Sequence, residues 1–288
     1  MIDGNKLKEI RHLAARMRRD IIVMVGVDQP GHIGGSCSAA DFVAVLYGWK
    51  MKHDPKNPKW EGRDRFLMSK GHAAIIQYAA MAELGYFPKS QLPTLKKLGS
   101  MLQGHPDIHK TPGIEANTGS LGQGLSISCG MALAQRLDKK PNRVFCILGD
   151  GELAEGQVWE AAMFAASKKI DNLVAIVDQN GLQAMGAVVD RMNSNPLPEK
   201  WRAFGWHVIE IDGHNIAAIV AALDEAETVK GRPTAIIAHT VKGKGFSFSH
   251  NNVAFHNGAM NQAQYDLGLK EADAVLAEFQ GVKETEAR

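Results

Sequence analysis

The sequence predicts an α/β protein with a doubly wound, mostly parallel sheet and helices on both faces. Three observations carry that prediction. Residues 144–148 and 173–177 are short, near-continuous apolar runs, the pattern of strands buried on both sides. Helical periodicity separates them over residues 157–168, giving a βαβ unit. The same alternation resumes with strands expected over 207–211 and 234–238 around a helix over 216–229, which places the chain among doubly wound folds.

The remaining elements follow in order along the chain. Leu7, Ile10, Ala14, Met17, Ile21 and Met24 recur at steps of three and four, predicting an opening amphipathic helix that stops before Gln29-Pro30-Gly31. A second helix is expected over 39–48. Pro55, Pro58 and Gly62 make 52–65 an irregular connection into a short run over 65–69, and 73–84 reads as helical. Residues 101–124 are rich in glycine, proline and histidine and show no apolar period. A loop of that length in a compact domain is usually functional or disordered. A helix over 125–137 leads into the βαβ unit, and 283–288 form a polar tail. With no repeat, low-complexity tract or linker, a single domain over 1–288 is the simplest division.

Composition excludes several classes. The 33 basic residues are matched by 31 acidic ones, so no electrostatic case arises for a nucleic-acid or membrane-surface partner. The longest apolar stretch near the start, 21–27, falls far short of the roughly 20 residues that span a bilayer. Lys6, Lys8, Arg11, Arg16, Arg18 and Arg19 are spread along an amphipathic pattern unlike a signal peptide, and a cytoplasmic protein is expected. Cys37, Cys129 and Cys146 are widely spaced in apolar or small-residue surroundings, and read as buried reduced thiols in preference to a disulfide, a metal site or a nucleophile.

Chemistry concentrates at two strand ends. Gly149-Asp150-Gly151 follows the 144–148 strand directly, and Asn180-Gly181 ends the next strand, thirty positions after Asp150. Both lie at the carboxyl edge of the sheet, where ligands bind in open α/β folds, so Asp150 and Asn180 are expected to converge. A hard cation wants oxygen donors, usually one or two from protein with phosphates and water completing the shell. Asp150 offers a carboxylate, Asn180 an amide oxygen, and a nearby backbone carbonyl a third donor. The glycines allow close approach of phosphates, and a helix opening at Gln157 would favour their charge. Taken alone, Gly-Asp-Gly is an ordinary tight turn.

The arrangement of Gly149-Asp150-Gly151 and Asn180 resembles the thiamine diphosphate signature, which names a cofactor and not a reaction. Further blocks extend the resemblance over nearly the whole chain: Gly31-His32, Ser69-Lys70-Gly71-His72, Gly104-His105-Pro106, the run from Thr118 through Gly119, Ser120, Leu121, Gly122 and Gln123 to Gly124, and Glu155-Gly156. Their order is similar to that of the transketolase family. Position by position, the resemblance implies that Asp150, Asn180 and the Leu182 carbonyl hold Mg2+, or Ca2+ or Mn2+ in its place, and that Gly151 and His72 contact the diphosphate. Gly119, Ser120 and Leu121 would present backbone to the aminopyrimidine side, and His32, His105 and His256 would face the sugar and the reacting carbon. The Phe255-His256-Asn257-Gly258 pattern favours His256 over His250. Glu155 is similar to a residue linking paired cofactor sites across a subunit interface. Ser120 departs from the family's usual proline, implying a less rigid loop.

The resemblance further implies transfer of a two-carbon ketol unit from a ketose, such as a sugar phosphate, to an aldose. Family members draw a second, pyrimidine-binding domain into the active site, and this sequence leaves no room for one. The expectation is therefore an N-terminal subunit of a split enzyme, assembling as α2β2 with a C-terminal transketolase subunit. Three alternatives compete. A nicotinamide dehydrogenase would need G-x-G-x-x-G directly after its first strand, which Gly119–Gly124 does not supply. The α subunit of a thiamine-dependent 2-oxo acid dehydrogenase shares the diphosphate motif but not the histidine blocks. A non-catalytic paralogue would not be expected to keep the metal ligands and the histidines together.

Overall fold

The computed structural model describes residues 2–285. Its frame is a five-stranded, wholly parallel sheet in the order β1-β2-β3-β7-β6, from β1 (Arg65–Met68), β2 (Val144–Gly149), β3 (Leu173–Gln179), β6 (His207–Asp212) and β7 (Thr234–His239). Side chains alternate across each strand, and the two faces bury different sets. Phe145, Ile147, Val174 and Ile176 enter one core, while Val144, Cys146, Leu148, Leu173, Ala175 and Val177 enter the other. Each fully buried aliphatic side chain contributes roughly 1.5–3 kcal/mol.

The first core is covered by α1 (Gly4–Val25), α2 (Ile33–Ser38), α3 (Ala40–Val45), α4 (Ala74–Glu83) and α9 (Ile216–Thr228), and the second by α5 (Gln123–Leu137), α6 (Gly156–Ser167) and α8 (Leu197–Ala203). The doubly wound expectation is met. Helix α1 starts where the Asp3 side chain accepts from the Lys6 amide and ends at Gly26, whose φ of 65° suits glycine. Of its predicted apolar face, Ile10, Ala14, Met17, Ile21 and Met24 are buried and Leu7 is half-buried against the same core, with Leu13 buried beside them.

Some expectations are corrected. The second helix begins at Ile33, breaks at Ala39, and ends in a π turn over Leu46–Lys50. Gly34, Gly35 and Ser36 are poor helix formers, so this stretch shows no helical pattern, yet all six residues of α2 are buried and packing overrides propensity. The sequence pattern also gives no warning of the β4 (Leu182–Gln183) and β5 (Gly186–Ala187) hairpin, α7 (Val188–Arg191), α8 and α10 (Gln262–Ala277). Helix α10 carries a full capping box between Asn261 and Gln264. Its buried residues are only Gly268 and Ala272, too small to leave an apolar period. Of the predicted polar tail, 286–288 lie outside the described residues. Thr285 is buried and donates to the Glu9 carbonyl at 3.3 Å, so this end lies against α1.

All three cysteines are free and buried. Burial pushes the Cys37 and Cys129 thiols up to about 12, which makes them poor nucleophiles. Among the described residues, no helix is long and apolar enough to cross a membrane.

Candidate functional site

The carboxyl ends of four strands meet around one cavity of about 240 Å³. Register places them: Met68 pairs with Ile147, Gly149 with Asp178, and Gln179 with His239, so the segments leaving β1, β2, β3 and β7 emerge side by side. Its wall includes His32, His72, Gly119, Leu121, Asp150, Gly151, Asn180, Leu182 and His256 from the expected set. The chain thus brings together residues separated by more than two hundred positions, as the edge of a parallel sheet allows.

Asp150 is buried, its Oδ1 accepting from the Gly151 amide at 2.8 Å and its Oδ2 from the Gly181 amide at 2.6 Å. Burial, followed by the charge of Asp178, raises its carboxyl to about 6. Asn180 has its amide orientation fixed: Oδ1 accepts from the Leu182 amide at 3.1 Å, and Nδ2 donates to Asp178 at 3.3 Å. The Leu182 carbonyl accepts from Lys242 Nζ at 2.9 Å. Burial, then Lys70, lowers Lys242 to about 8.

Two fully formed carboxylate hubs sit beneath this layer. Asp178, with no exposed surface, accepts from Lys70 Nζ, Thr240 Oγ1 and, at 2.5 Å, Ser38 Oγ. Burial opposes its charge, but Lys70 beside it wins and holds the carboxyl below its ordinary range. Glu152 accepts from Ser69 Oγ, the Gly122 amide at 2.9 Å and the Gly149 amide at 3.0 Å. It therefore fastens the turn after β1, the 118–122 loop and the turn after β2 to one another.

The histidines cluster above. The His32 ring centroid lies 5.0 Å from His72, 5.6 Å from His256 and 6.4 Å from His105. Burial dominates their protonation, lowering His32 to about 3, His72 to about 2 and His256 to about 4, with neighbouring cations adding to the effect. All three are neutral imidazoles near pH 7, able to donate at one nitrogen and accept at the other. His32 Nδ1 and His256 Nδ1 are buried without a partner, as expected of groups placed to meet a ligand. Close backbone approach shapes the wall. Gly119 has φ 133°, and a Cβ there would lie 2.4 Å from His105 Cδ2; a Cβ on Gly71 would lie 2.6 Å from the Gly119 nitrogen.

Three expected residues stand outside the cavity wall. His105 lies beside Gly119 and is exposed, as are Ser120 and Glu155. His250 is also exposed, whereas His256 lines the cavity. The helix expected at Gln157 opens at Gly156, and neither residue reaches the cavity; Gln157 instead bonds Gln123 and Ser126. The short 3-10 turn Gly151–Ala154 takes its place beside the cavity. Sequence reasoning gave no role to Lys70, Glu152 or Lys242, nor to Gly35, Gln183 and Ala184. Lys242-Gly243 did carry a signal: it lies just beyond a strand at the same sheet edge as Gly149-Asp150-Gly151.

The donor set fits a hard cation with a diphosphate. It supplies a carboxylate, an amide oxygen and a backbone carbonyl, with no thiolate. Among the described residues, no group of three or more His, Cys, Asp or Glu forms a metal cage, so phosphate oxygens and water would have to complete the shell. The Leu182 carbonyl already attracts a cation, the Lys242 ammonium.

Comparison with known proteins points the same way. Residues 8–273 match the thiamine diphosphate binding domain of transketolase. The 6-deoxy-6-sulfo-D-fructose transketolase subunit SqwG of Clostridium sp. (strain MSTE9) is 45% identical over 92% of this chain and 96% of its own length. An apulose-4-phosphate transketolase subunit of Phocaeicola vulgatus is 39% identical over 88% of this chain and 90% of its own. The solved transketolase from Leishmania mexicana superposes with a TM-score of 0.81 at 27% identity, covering 94% of this chain and 45% of that one. This chain therefore spans somewhat under half of that transketolase chain and nearly all of the two subunits.

Proposed function

Because this chain belongs to the transketolase family, we infer that it is the thiamine-diphosphate-binding subunit of a two-chain transketolase, transferring a two-carbon ketol unit from a ketose to an aldose. One observation carries the reading: Asp150, Asn180, Leu182 and the neutral imidazoles of His32, His72 and His256 line one cavity at the carboxyl edge of the sheet. The partner would be a C-terminal subunit with the pyrimidine-binding domain, and the assembly α2β2. That two relatives matched along nearly their whole length are themselves named as subunits supports the division. The family match and the histidine cluster disfavour a 2-oxo acid dehydrogenase subunit.

Asp150, Asn180 Oδ1 and the Leu182 carbonyl would hold Mg2+, with Ca2+ or Mn2+ as substitutes. Gly151 and His72 would meet the diphosphate, and Lys242 would exchange the Leu182 carbonyl for phosphate oxygens. Bound thiamine diphosphate supplies the carbon nucleophile that the side chains lack. His32 and His256, with free Nδ1 atoms, would take and return protons at sugar hydroxyls and at the oxygen of the carbonyl under attack. His105, at the cavity's edge beside Gly119, would position the donor's terminal hydroxyls. The backbone of Gly119 and Leu121 would face the aminopyrimidine, with Ser120 presenting its own from the exposed side. Exposed Glu155 would reach across to a second cofactor site.

The test is ketol transfer by the purified chain, with and without the product of the adjacent reading frame, in thiamine diphosphate and magnesium. Xylulose 5-phosphate and 6-deoxy-6-sulfofructose are the donors to compare, the second because of the similarity to SqwG. Activity is expected in the mixture alone. Full turnover by this chain without a partner would overturn the two-subunit reading. A complex that binds cofactor and turns over no sugar would mark a non-catalytic paralogue.

A further inference from the structure

Lys242 owes its place to a hydrogen-bonded chain that starts far from the cavity. Arg18 on α1 grips Asp41 on α3 as a fork, its two terminal nitrogens 3.0 Å and 2.6 Å from Oδ1 and Oδ2. Asp41 Oδ2 lies 2.8 Å from Nδ1 of His214, in the loop between β6 and α9. His214 Nε2 in turn accepts the Val241 amide at 2.9 Å. An imidazole nitrogen that accepts an N–H carries no proton, so the proton is on Nδ1 and points at Asp41. The bonds thus select one neutral tautomer and one ring orientation.

Lys242 follows Val241 directly. The segment is fastened on its other side as well: the Gly243 amide donates to the Gly34 carbonyl at 2.9 Å, and Arg18 Nε donates to the Lys244 carbonyl at 3.2 Å. From this clamp the Lys242 side chain, 3% exposed, reaches the cavity wall and the Leu182 carbonyl. A four-carbon stem has many rotamers, so the backbone must be fixed for its ammonium to stand at one point.

We propose that His214 is a positioning residue: with Asp41 and Arg18 it clamps Val241-Lys242-Gly243 and so aims the Lys242 ammonium at the diphosphate. His214 touches neither cofactor nor substrate and acts through Lys242. The inference rests on the reading of the cavity as a thiamine diphosphate site.

The experiment uses the complex of this chain with its partner, in the variants His214→Leu, His214→Gln, Lys242→Met and His214→Leu/Lys242→Met. Thiamine diphosphate affinity with magnesium is measured by fluorescence titration, and hydrogen exchange is followed over residues 240–244. His214→Leu is expected to weaken cofactor binding about tenfold, as loss of a charge-assisted contact does, and to speed Val241 amide exchange about tenfold by local opening. Gln, which can accept from Val241 and donate to Asp41, restores both. In the Lys242→Met background, His214→Leu costs no further affinity, because coupled residues are not additive. A full tenfold loss on top of Lys242→Met, or unchanged Val241 exchange in His214→Leu, overturns the proposal. If the unaltered complex fails to bind thiamine diphosphate, the cofactor reading falls, and with it the diphosphate as the group Lys242 serves. The exchange result then still decides the clamp.

Discussion

Asp150→Ala is expected to abolish magnesium-dependent binding of thiamine diphosphate and to lower ketol transfer by the reconstituted enzyme at least roughly 10²-fold. Groups that merely orient a metal ligand cost about 10–100-fold when lost, and Asp150 is proposed as the only charged ligand from the protein. The same carboxylate sets a pH dependence. Burial and Asp178 raise it from its ordinary 3.8 to about 6. For an acid raised in this way, the stabilising contribution is present below the ordinary value and is lost as pH rises through about 6. Cation binding needs the deprotonated form, so bound metal reverses the preference. Thermal melts from pH 5 to 7.5 should therefore show the gain from magnesium and cofactor growing with pH through about 6. In Asp150→Ala that gain should be absent throughout.

Lys70→Met carries the largest expected cost in stability, about 3–5 kcal/mol, because removing one partner of a buried ion pair strands the other charge. Asp178 would keep Ser38, Thr240 and Asn180 as neutral donors but lose the Lys70 ammonium it pairs with. Chemical denaturation of the purified variant measures the loss. Adding Asp178→Asn should recover part of it by removing the stranded charge. A single Lys70→Met variant as stable as the parent would mean that the Lys70–Asp178 pair does not hold the strand ends together. The cavity depends on that pair mechanically, since Lys70 Nζ also donates to the Gly35 carbonyl at 2.7 Å and ties α2 to the sheet edge.

The centre of the sheet was legible because buried parallel strands are written as near-continuous apolar runs: the strands expected over 144–148, 173–177, 207–211 and 234–238 all appear, each one or two residues longer at its carboxyl end, while the run over 65–69 stops at Met68. Helices whose contacts are made by small residues were not legible. α2 begins Ile33-Gly34-Gly35-Ser36, and α10 buries only Gly268 and Ala272, so neither carries a period although both are packed. The site divides in the same way. Gly149-Asp150-Gly151 and Asn180 could be placed because each follows a strand. Glu152 could not, because its three donors come from Ser69, Gly122 and Gly149 and meet only in the folded chain. An acid next to a Gly-Asp-Gly turn otherwise reads as solvated. Lys242 was missed for a related reason, since its burial depends on Gly34, His214 and Asn251 closing around its backbone.

The central claim is that this chain supplies the metal and diphosphate half of a cofactor site completed by another polypeptide. The most direct test is a thiamine diphosphate titration of this chain, of its partner, and of the two mixed, each with magnesium and then with a chelator. The account predicts magnesium-dependent saturation of this chain that inorganic pyrophosphate competes away, tightening when the partner is added. Binding by the partner alone as tight as that of the mixture, or binding to this chain indifferent to magnesium and to pyrophosphate, would contradict it.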